Sequence, residues 1–267
     1  MACAAAVGGS ALVGLTAGVA HADPSCPDVH WIGAAGSGER DDHLAANGGM
    51  GRVVFQSFSA LQRQLQQEGR TITAEAVEYP ALDVPDDPGV LDWADFMGSV
   101  DAGTAALGGQ YASFSQRCPN TKVVLAGYSQ GAMVVHRNLH ALAQSPNLTA
   151  ALLIADGDRI PDDNTVNIGS APSDPETVGG AAQDWPTLAH APEKLPANVG
   201  TRTISVCDAG DAVCDYDPDA DEVSPKAVAI HKSYTAGASD GQMWTWMVHQ
   251  LLGPPSQATP EVVATTT

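Results

Sequence analysis

The sequence predicts an α/β fold built on a central, mainly parallel sheet, and three observations carry that expectation. Short apolar runs alternate with longer amphipathic ones along the chain, as strands joined by crossover helices do. The pentapeptide Gly127-Tyr128-Ser129-Gln130-Gly131 lies at the junction of one such strand and one such helix. The 267 residues are 44% hydrophobic and only 16% charged, enough apolar material to fill one large core.

The elements follow in order. Val29 to Ala34 reads as the first strand. Val54, Phe58, Leu61 and Leu65 mark one helical face, which Gly69 ends. Thr73 to Tyr79 alternates as a strand stopped by Pro80. From Trp93, the series Phe96, Val100, Leu107, Tyr111 and Phe114 predicts a helix weakened at Gly108-Gly109. Lys122 to Ala126 is a buried strand and Gln130 to Ala143 the helix after it. Ala150 to Ala155 and Arg202 to Val206 are the next two strands. Between them Gly157 to Gly200, rich in Pro, Gly, Asp and Asn, reads as a long functional or mobile loop. It emerges at the carboxyl edge of the sheet, with its apolar residues gathered at Trp185, Pro186 and Leu188, and is expected to govern substrate choice. Gln242 to Leu252 closes the fold, and Pro254 onward is a polar tail expected to be disordered. There is no internal repeat and no second core.

Acids outnumber bases 31 to 12, for a net charge of −19. A field of that sign repels nucleic acid and anionic membranes, so neither is an expected partner. Residues 1–22 carry no acid or base, and Val7 to Val19 is small and apolar. Ala20-His21-Ala22 before Asp23-Pro24 has the form of a secretory cleavage site. The basic start of a signal peptide is missing, and the run is too short and Gly-rich to span a bilayer. An exported chain without stable membrane insertion, and a monomer, is expected. Removing the signal takes Cys3 and leaves Cys26, Cys118, Cys207 and Cys214, an even set suited to disulfides. Cys207 and Cys214 enclose six residues and pair with each other, leaving Cys26 with Cys118. The tight Cys-x-x-Cys spacing of a zinc site is absent.

Gly-x-Ser-x-Gly between a strand and a helix is the α/β-hydrolase-type nucleophile turn. Its tightness requires small residues around Ser129, and the N–H of Gln130, opening the helix, can stabilise an oxyanion. Serine needs a base. His136 sits seven residues on, about 10 Å along the helix axis, and cannot reach Oγ. His136 and His140 are spaced as metal ligands could be, but no third ligand is evident, and both read as helix-surface residues. His30, His43 and His190 lack local support, and packing accounts for His249 among Trp246, Met247, Val248 and Leu251. His231, after the last strand, suits the chain order Ser, acid, His. Asp208 and Asp211 both qualify as the acid, held in the Cys207–Cys214 loop.

Taken together, Cys26-Pro27-Asp28-Val29, Cys118-Pro119-Asn120-Thr121-Lys122-Val123-Val124-Leu125, Gly127-Tyr128-Ser129-Gln130-Gly131-Ala132, Cys207-x-x-Gly210-Asp211-x-Val213-Cys214 and His231-x-x-Tyr234 resemble a cutinase, more narrowly the cutinase-like esterases of actinobacteria. The resemblance covers roughly Cys26 to Leu252. It implies a three-layer α/β-hydrolase-type sandwich over residues 23–253 and a Ser129, Asp211, His231 triad, choosing Asp211 over Asp208. It also implies Ser37 as an oxyanion-hole residue beside Gln130, and it supports both disulfides. The implied activity is secreted ester hydrolysis without metal or organic cofactor, on short to medium acyl esters, lipids, phospholipids, thioesters or polyesters such as cutin. An acyltransferase using the same triad, or an idle binding scaffold, are the rivals.

Three departures stand out. Ala35 replaces the family's usual arginine before Gly36-Ser37. Ile154-Ala155-Asp156-Gly157-Asp158-Arg159 stands where many members have Phe-Gly-Asp-Pro. Asp215 to Glu222 is an acidic insertion whose alternating acids suggest calcium, but an EF-hand loop would need Gly and Glu where Ala220 and Lys226 stand.

Overall fold

Val29–Ala34 forms β1, buried along its whole length. In the computed structural model, which describes residues 26–40, 44–85, 90–220, 222–237 and 239–255, it lies inside a six-stranded sheet. The proposed signal peptide with Cys3 and His21, the loop residue His43, Asp221 of the acidic insertion, and residues 256–267 of the tail fall outside the described residues.

After β1 come α1 (Arg52–Gln67), β2 (Ile72–Ala76), α2 (Val90–Arg117), β3 (Lys122–Tyr128), α3 (Gln130–Leu142) and β4 (Leu148–Ile154). The second half holds β5 (Val166–Ile168), the short helices α4 (Ala181–Asp184), α5 (Pro186–Ala189) and α6 (Ala197–Gly200), β6 (Thr203–Val206), α7 (Pro225–His231) and α8 (Ser239–Leu252). The strand order is β2-β1-β3-β4-β6-β5, and every pairing among the described residues is parallel.

The alternation of side chains along each strand divides the core in two. Ile32, Ala34, Val123, Leu125, Ala151 and Leu153 face α2 and α3, meeting Val100, Leu107, Val134 and Leu139. Trp31, Val124, Ala126, Leu152, Ile154 and Ile204 face α1 and α8, meeting Val54, Leu61, Leu65, Trp244 and Val248. A sheet covered on both faces must be apolar on both, which is why β1 and β4 read as continuous runs. Cys26 is bonded to Cys118 and Cys207 to Cys214.

Three elements differ from expectation. The second strand ends at Ala76 rather than Tyr79. Past it only the Val77 N–H still reaches β1, at the Gly33 carbonyl, 2.8 Å away. Val77 and Tyr79 alternate because both pack in the core from a loop. The helix α2 runs unbroken through Gly108-Gly109, because Leu107 and Tyr111 on either side are buried against the sheet and packing outweighs the glycine penalty. Gly157 to Gly200 is not one structureless loop: Val166–Ile168 adds an edge strand to β6, and three helical turns follow. A three-residue strand is too short to show a period. Among the described residues no helix is long and apolar enough to cross a membrane, and no three potential ligand side chains are gathered to hold a metal ion.

Candidate active site

The turn from β3 into α3 places Ser129 at φ 54°, ψ −122°, a backbone region that L-residues enter only under constraint. That constraint is visible. The Ser129 N–H donates to the Ile154 carbonyl of β4 at 2.9 Å. A Cβ on Gly127 would lie 2.1 Å from the Gly131 carbonyl oxygen, and one on Gly131 would lie 2.3 Å from that of Ala34. Only glycine fits at either position, so the three small residues of the pentapeptide follow from the packing of β1, β3 and α3.

The structure brings Ser129, His231 and Asp211 together although 102 positions separate the first two. His231 Nε2 lies 3.0 Å from Ser129 Oγ. On the other side of the ring Nδ1 lies 3.0 Å from Asp211 Oδ1 and 3.1 Å from Oδ2. A carboxylate can only accept, so Nδ1–H donates to Asp211 and Nε2 is left to accept the Ser129 hydroxyl proton. Asp211 is fully buried, and Oδ1 also accepts the N–H groups of Val213 (2.7 Å) and Cys214 (3.0 Å). Burial opposes its charge, yet the hydrogen bond and charge of His231 with those two N–H groups hold its carboxyl below the usual range.

Asp208, the competing acid, points elsewhere. Its Oδ1 accepts the hydroxyl and N–H of Ser170, while its own N–H donates to the Tyr234 hydroxyl at 2.9 Å.

Ser37 lies in the turn after β1. Ala34 of β1 pairs with Gly127 of β3, so that turn and the nucleophile turn leave the sheet side by side. Glu39 braces it: Oε2 accepts the Gly36 N–H at 2.9 Å and Oε1 the Arg52 N–H that opens α1, also at 2.9 Å. The Gly38 N–H donates to the Ala81 carbonyl at 2.8 Å, and the Tyr79 hydroxyl donates to the Ala35 carbonyl. Gln130 begins α3, where the first N–H groups have no intrahelical acceptor. Its side-chain amide donates to the Leu82 carbonyl at 3.3 Å.

Two tyrosines that the sequence motifs contain have contacts that the sequence did not reveal. The Tyr128 ring stacks on the His231 imidazole, a pairing that only the fold brings about. Tyr234, four per cent exposed, accepts the Asp208 N–H of the disulfide loop at its hydroxyl.

His136 corrects an expectation. It is 1% exposed, not a helix-surface residue, and its Nδ1 is 2.6 Å from Asp156 Oδ2. The buried face of α3 is wider than its apolar residues suggest, because Asp156 leaves β4 directly beneath it. Burial opposes the imidazolium, but Asp156, Asp158 and Asp163 outweigh it and raise the imidazole pKa. Next to it Arg137 forks onto Asp158 at 2.8 and 3.2 Å, and burial pushes the Asp158 carboxyl up to about 6 even so. His140 is exposed, as expected. His249, read from the sequence as a packing residue, is instead hydrogen-bonded through Nε2 to Glu68 Oε1 at 2.6 Å near the surface.

Several large apolar side chains are exposed. Leu82 and Val84 follow β2, Leu91 opens α2 and Val223 precedes α7, all exposed. Trp185 meets Trp93 edge to face at 5.5 Å and Tyr216 at 6.4 Å.

Comparison with known proteins gives one consistent result. The family model described as Cutinase matches residues 25–251. A carboxylesterase of Mycobacterium tuberculosis, Culp1, is 31% identical over 192 residues, covering 64% of this chain and 78% of that protein. A cutinase of Botryotinia fuckeliana is also 31% identical, covering 71% of each. Among solved structures the catalytic core domain of acetyl xylan esterase from Trichoderma reesei superimposes with a TM-score of 0.56 at 21% identity, over 85% of this chain and 98% of that one.

Proposed function

Because the chain belongs to the cutinase family and is a carboxylic ester hydrolase, we propose that Ser129 is its nucleophile, His231 its general base and Asp211 the acid that orients the base. The single observation that carries this reading is the unbroken hydrogen-bonded line Ser129 Oγ, His231 Nε2, His231 Nδ1, Asp211 Oδ1.

In this reading Ser129 Oγ attacks the ester carbonyl while His231 takes its proton. The carbonyl oxygen becomes an oxyanion held by the Gln130 N–H and by Ser37. The imidazolium then protonates the departing alkoxide, and an acyl-enzyme remains. Water, deprotonated by the same imidazole, releases the acid. Asp211 stays ionised throughout, which its depressed pKa favours.

The substrates are esters of short to medium acyl chains, lipids or polyesters. The exposed Leu82 supports this, since its carbonyl accepts the Gln130 side-chain amide and its apolar side chain therefore stands close to the Ser129 turn. Export is supported by the small-residue start of the chain and by the two disulfides, which persist only in oxidising compartments.

Ser129→Ala tests the nucleophile. The variant should fold normally, lose covalent labelling by a fluorophosphonate, and fall by several orders of magnitude in kcat. Retention of more than about a tenth of wild-type turnover would assign the chemistry to another residue.

A further inference from the structure

Arg159 is 3% exposed and, among the described residues, forms no ion pair. Burying a guanidinium without one is costly, and the cost falls only as its donors find acceptors. Its Nη1 donates to the Cys214 carbonyl at 3.0 Å and its Nη2 to the Pro172 carbonyl at 2.5 Å. Cys214 is the residue whose own N–H donates to Asp211 Oδ1. The 179–181 backbone links Arg159 to the same loop. The Gly180 N–H donates to the Arg159 carbonyl, the Ala181 N–H to that of Val213, and the Tyr216 N–H to that of Gly179, each at 2.8 Å.

We propose that Arg159 is a positioning residue for Asp211, holding the 213–214 backbone so that its two N–H groups and His231 meet the same carboxylate. This rests on the reading of Ser129, His231 and Asp211 as the triad. It gives the start of the 157–200 segment a task. The turn after β4 supplies Arg159, which fastens the disulfide loop at the carbonyl of Cys214, where the cradle of the proposed acid ends. It also accounts for one departure from the family pattern, because Arg159 closes the Asp156-Gly157-Asp158-Arg159 stretch. Burial lowers the pKa of the guanidinium, and the carboxylates of Asp215, Asp156 and Asp211 make up only part of that cost through space while its donors are spent on carbonyls.

The test compares Arg159→Met, which fills similar space without donors, and Arg159→Lys, which can reach only one of the two carbonyls. Both are assayed on p-nitrophenyl butyrate, with thermal unfolding to verify the fold. Arg159→Met should lose about tenfold or more in kcat with KM within about twofold, since displacing a catalytic group by about 1 Å costs up to about a hundredfold. Arg159→Lys should fall between it and the wild type. In an Asp211→Asn background Arg159→Met should change the remaining kcat by less than about twofold, because it acts through that carboxylate. Equal losses in both backgrounds would make Arg159 merely structural and overturn the proposal. If Arg159→Met does not fold, Arg159→Lys decides alone, and a wild-type kcat overturns it. Full activity in Asp211→Asn itself would instead remove the triad reading, a result separable from any Arg159 effect.

Discussion

The Tyr128 hydroxyl donates to the backbone carbonyl of His231 at 2.7 Å while its ring stacks on the same residue's imidazole, centroids 5.2 Å apart and planes 23° from parallel. The residue before the proposed nucleophile thus holds the proposed base by both its main chain and its ring. Burial raises the Tyr128 pKa, and the nearby charges of Glu39 and Asp211 raise it further, so the hydroxyl keeps its proton and can only gain by donating it. Tyr128→Phe keeps the stacking and removes the bond. Turnover should fall severalfold with KM little changed, and stability should drop by about 1 kcal/mol. An unchanged kcat would show that stacking alone fixes the ring.

Acid should destabilise the protein through Asp211. Its folded pKa lies below the unfolded value of about 3.9, so its contribution is present above that value and is lost as pH falls through the folded one. Urea unfolding from about pH 6 down to about pH 2 should show the loss in wild type and a shallower slope in Asp211→Asn. Parallel slopes would show that the carboxylate gains nothing on folding.

His136→Leu leaves Asp156 buried without its partner, which should cost about 3 to 5 kcal/mol. The exposed His140→Leu should cost less than about 1 kcal/mol. The raised folded pKa of His136 means its contribution is complete below about pH 6.5 and fades as pH rises through the folded value. The stability gap between wild type and His136→Leu should therefore narrow on the alkaline side in denaturant titrations.

The two disulfides should fail differently. Cys26–Cys118 spans 92 positions, for which chain entropy gives about 4 to 5 kcal/mol, against about 2 to 3 for the short Cys207–Cys214 loop. Replacing the long bridge with serines should lower Tm most. Replacing the short one should lower kcat well below the melting temperature, because that loop carries Asp211.

Trp185 is 42% exposed where it meets Trp93 and Tyr216. If it borders the acyl path, Trp185→Ala should lower kcat/KM for octanoate more than for acetate, by roughly fourfold for each buried methylene lost. An equal effect on both esters would make the aromatic cluster a strut.

Much of this was legible beforehand, for physical reasons. The apolar runs of β1, β3 and β4 had to be strands because both faces of the sheet are covered. Ser129 stood out because its turn admits only glycine two residues to either side. Asp211 could not be separated from Asp208 by position alone, since both lie in one disulfide loop and only side-chain direction divides them. His136 was misread because its partner, Asp156, is distant in sequence and near only through the β3–β4 pairing. Arg159, Tyr128 and Glu39 act through backbone groups, which leave no pattern in the residue types they contact. The edge strand β5 was hidden by its length.

Cys26 and Cys118 stand just before β1 and β3, which are neighbours in the sheet with Val29 opposite Lys122. Parallel neighbours cannot meet through a tight turn, and closing so long a span by diffusion is the slow part of assembling such a sheet. In the oxidised chain that closure survives denaturation. Refolding then begins with the central strand pair already tethered near its register, and the remaining strands add outward from it. The reduced chain must find that pairing from an open coil, with its apolar strand edges exposed to other chains meanwhile. The bridge should thus shorten the time during which unpaired strands are open to aggregation.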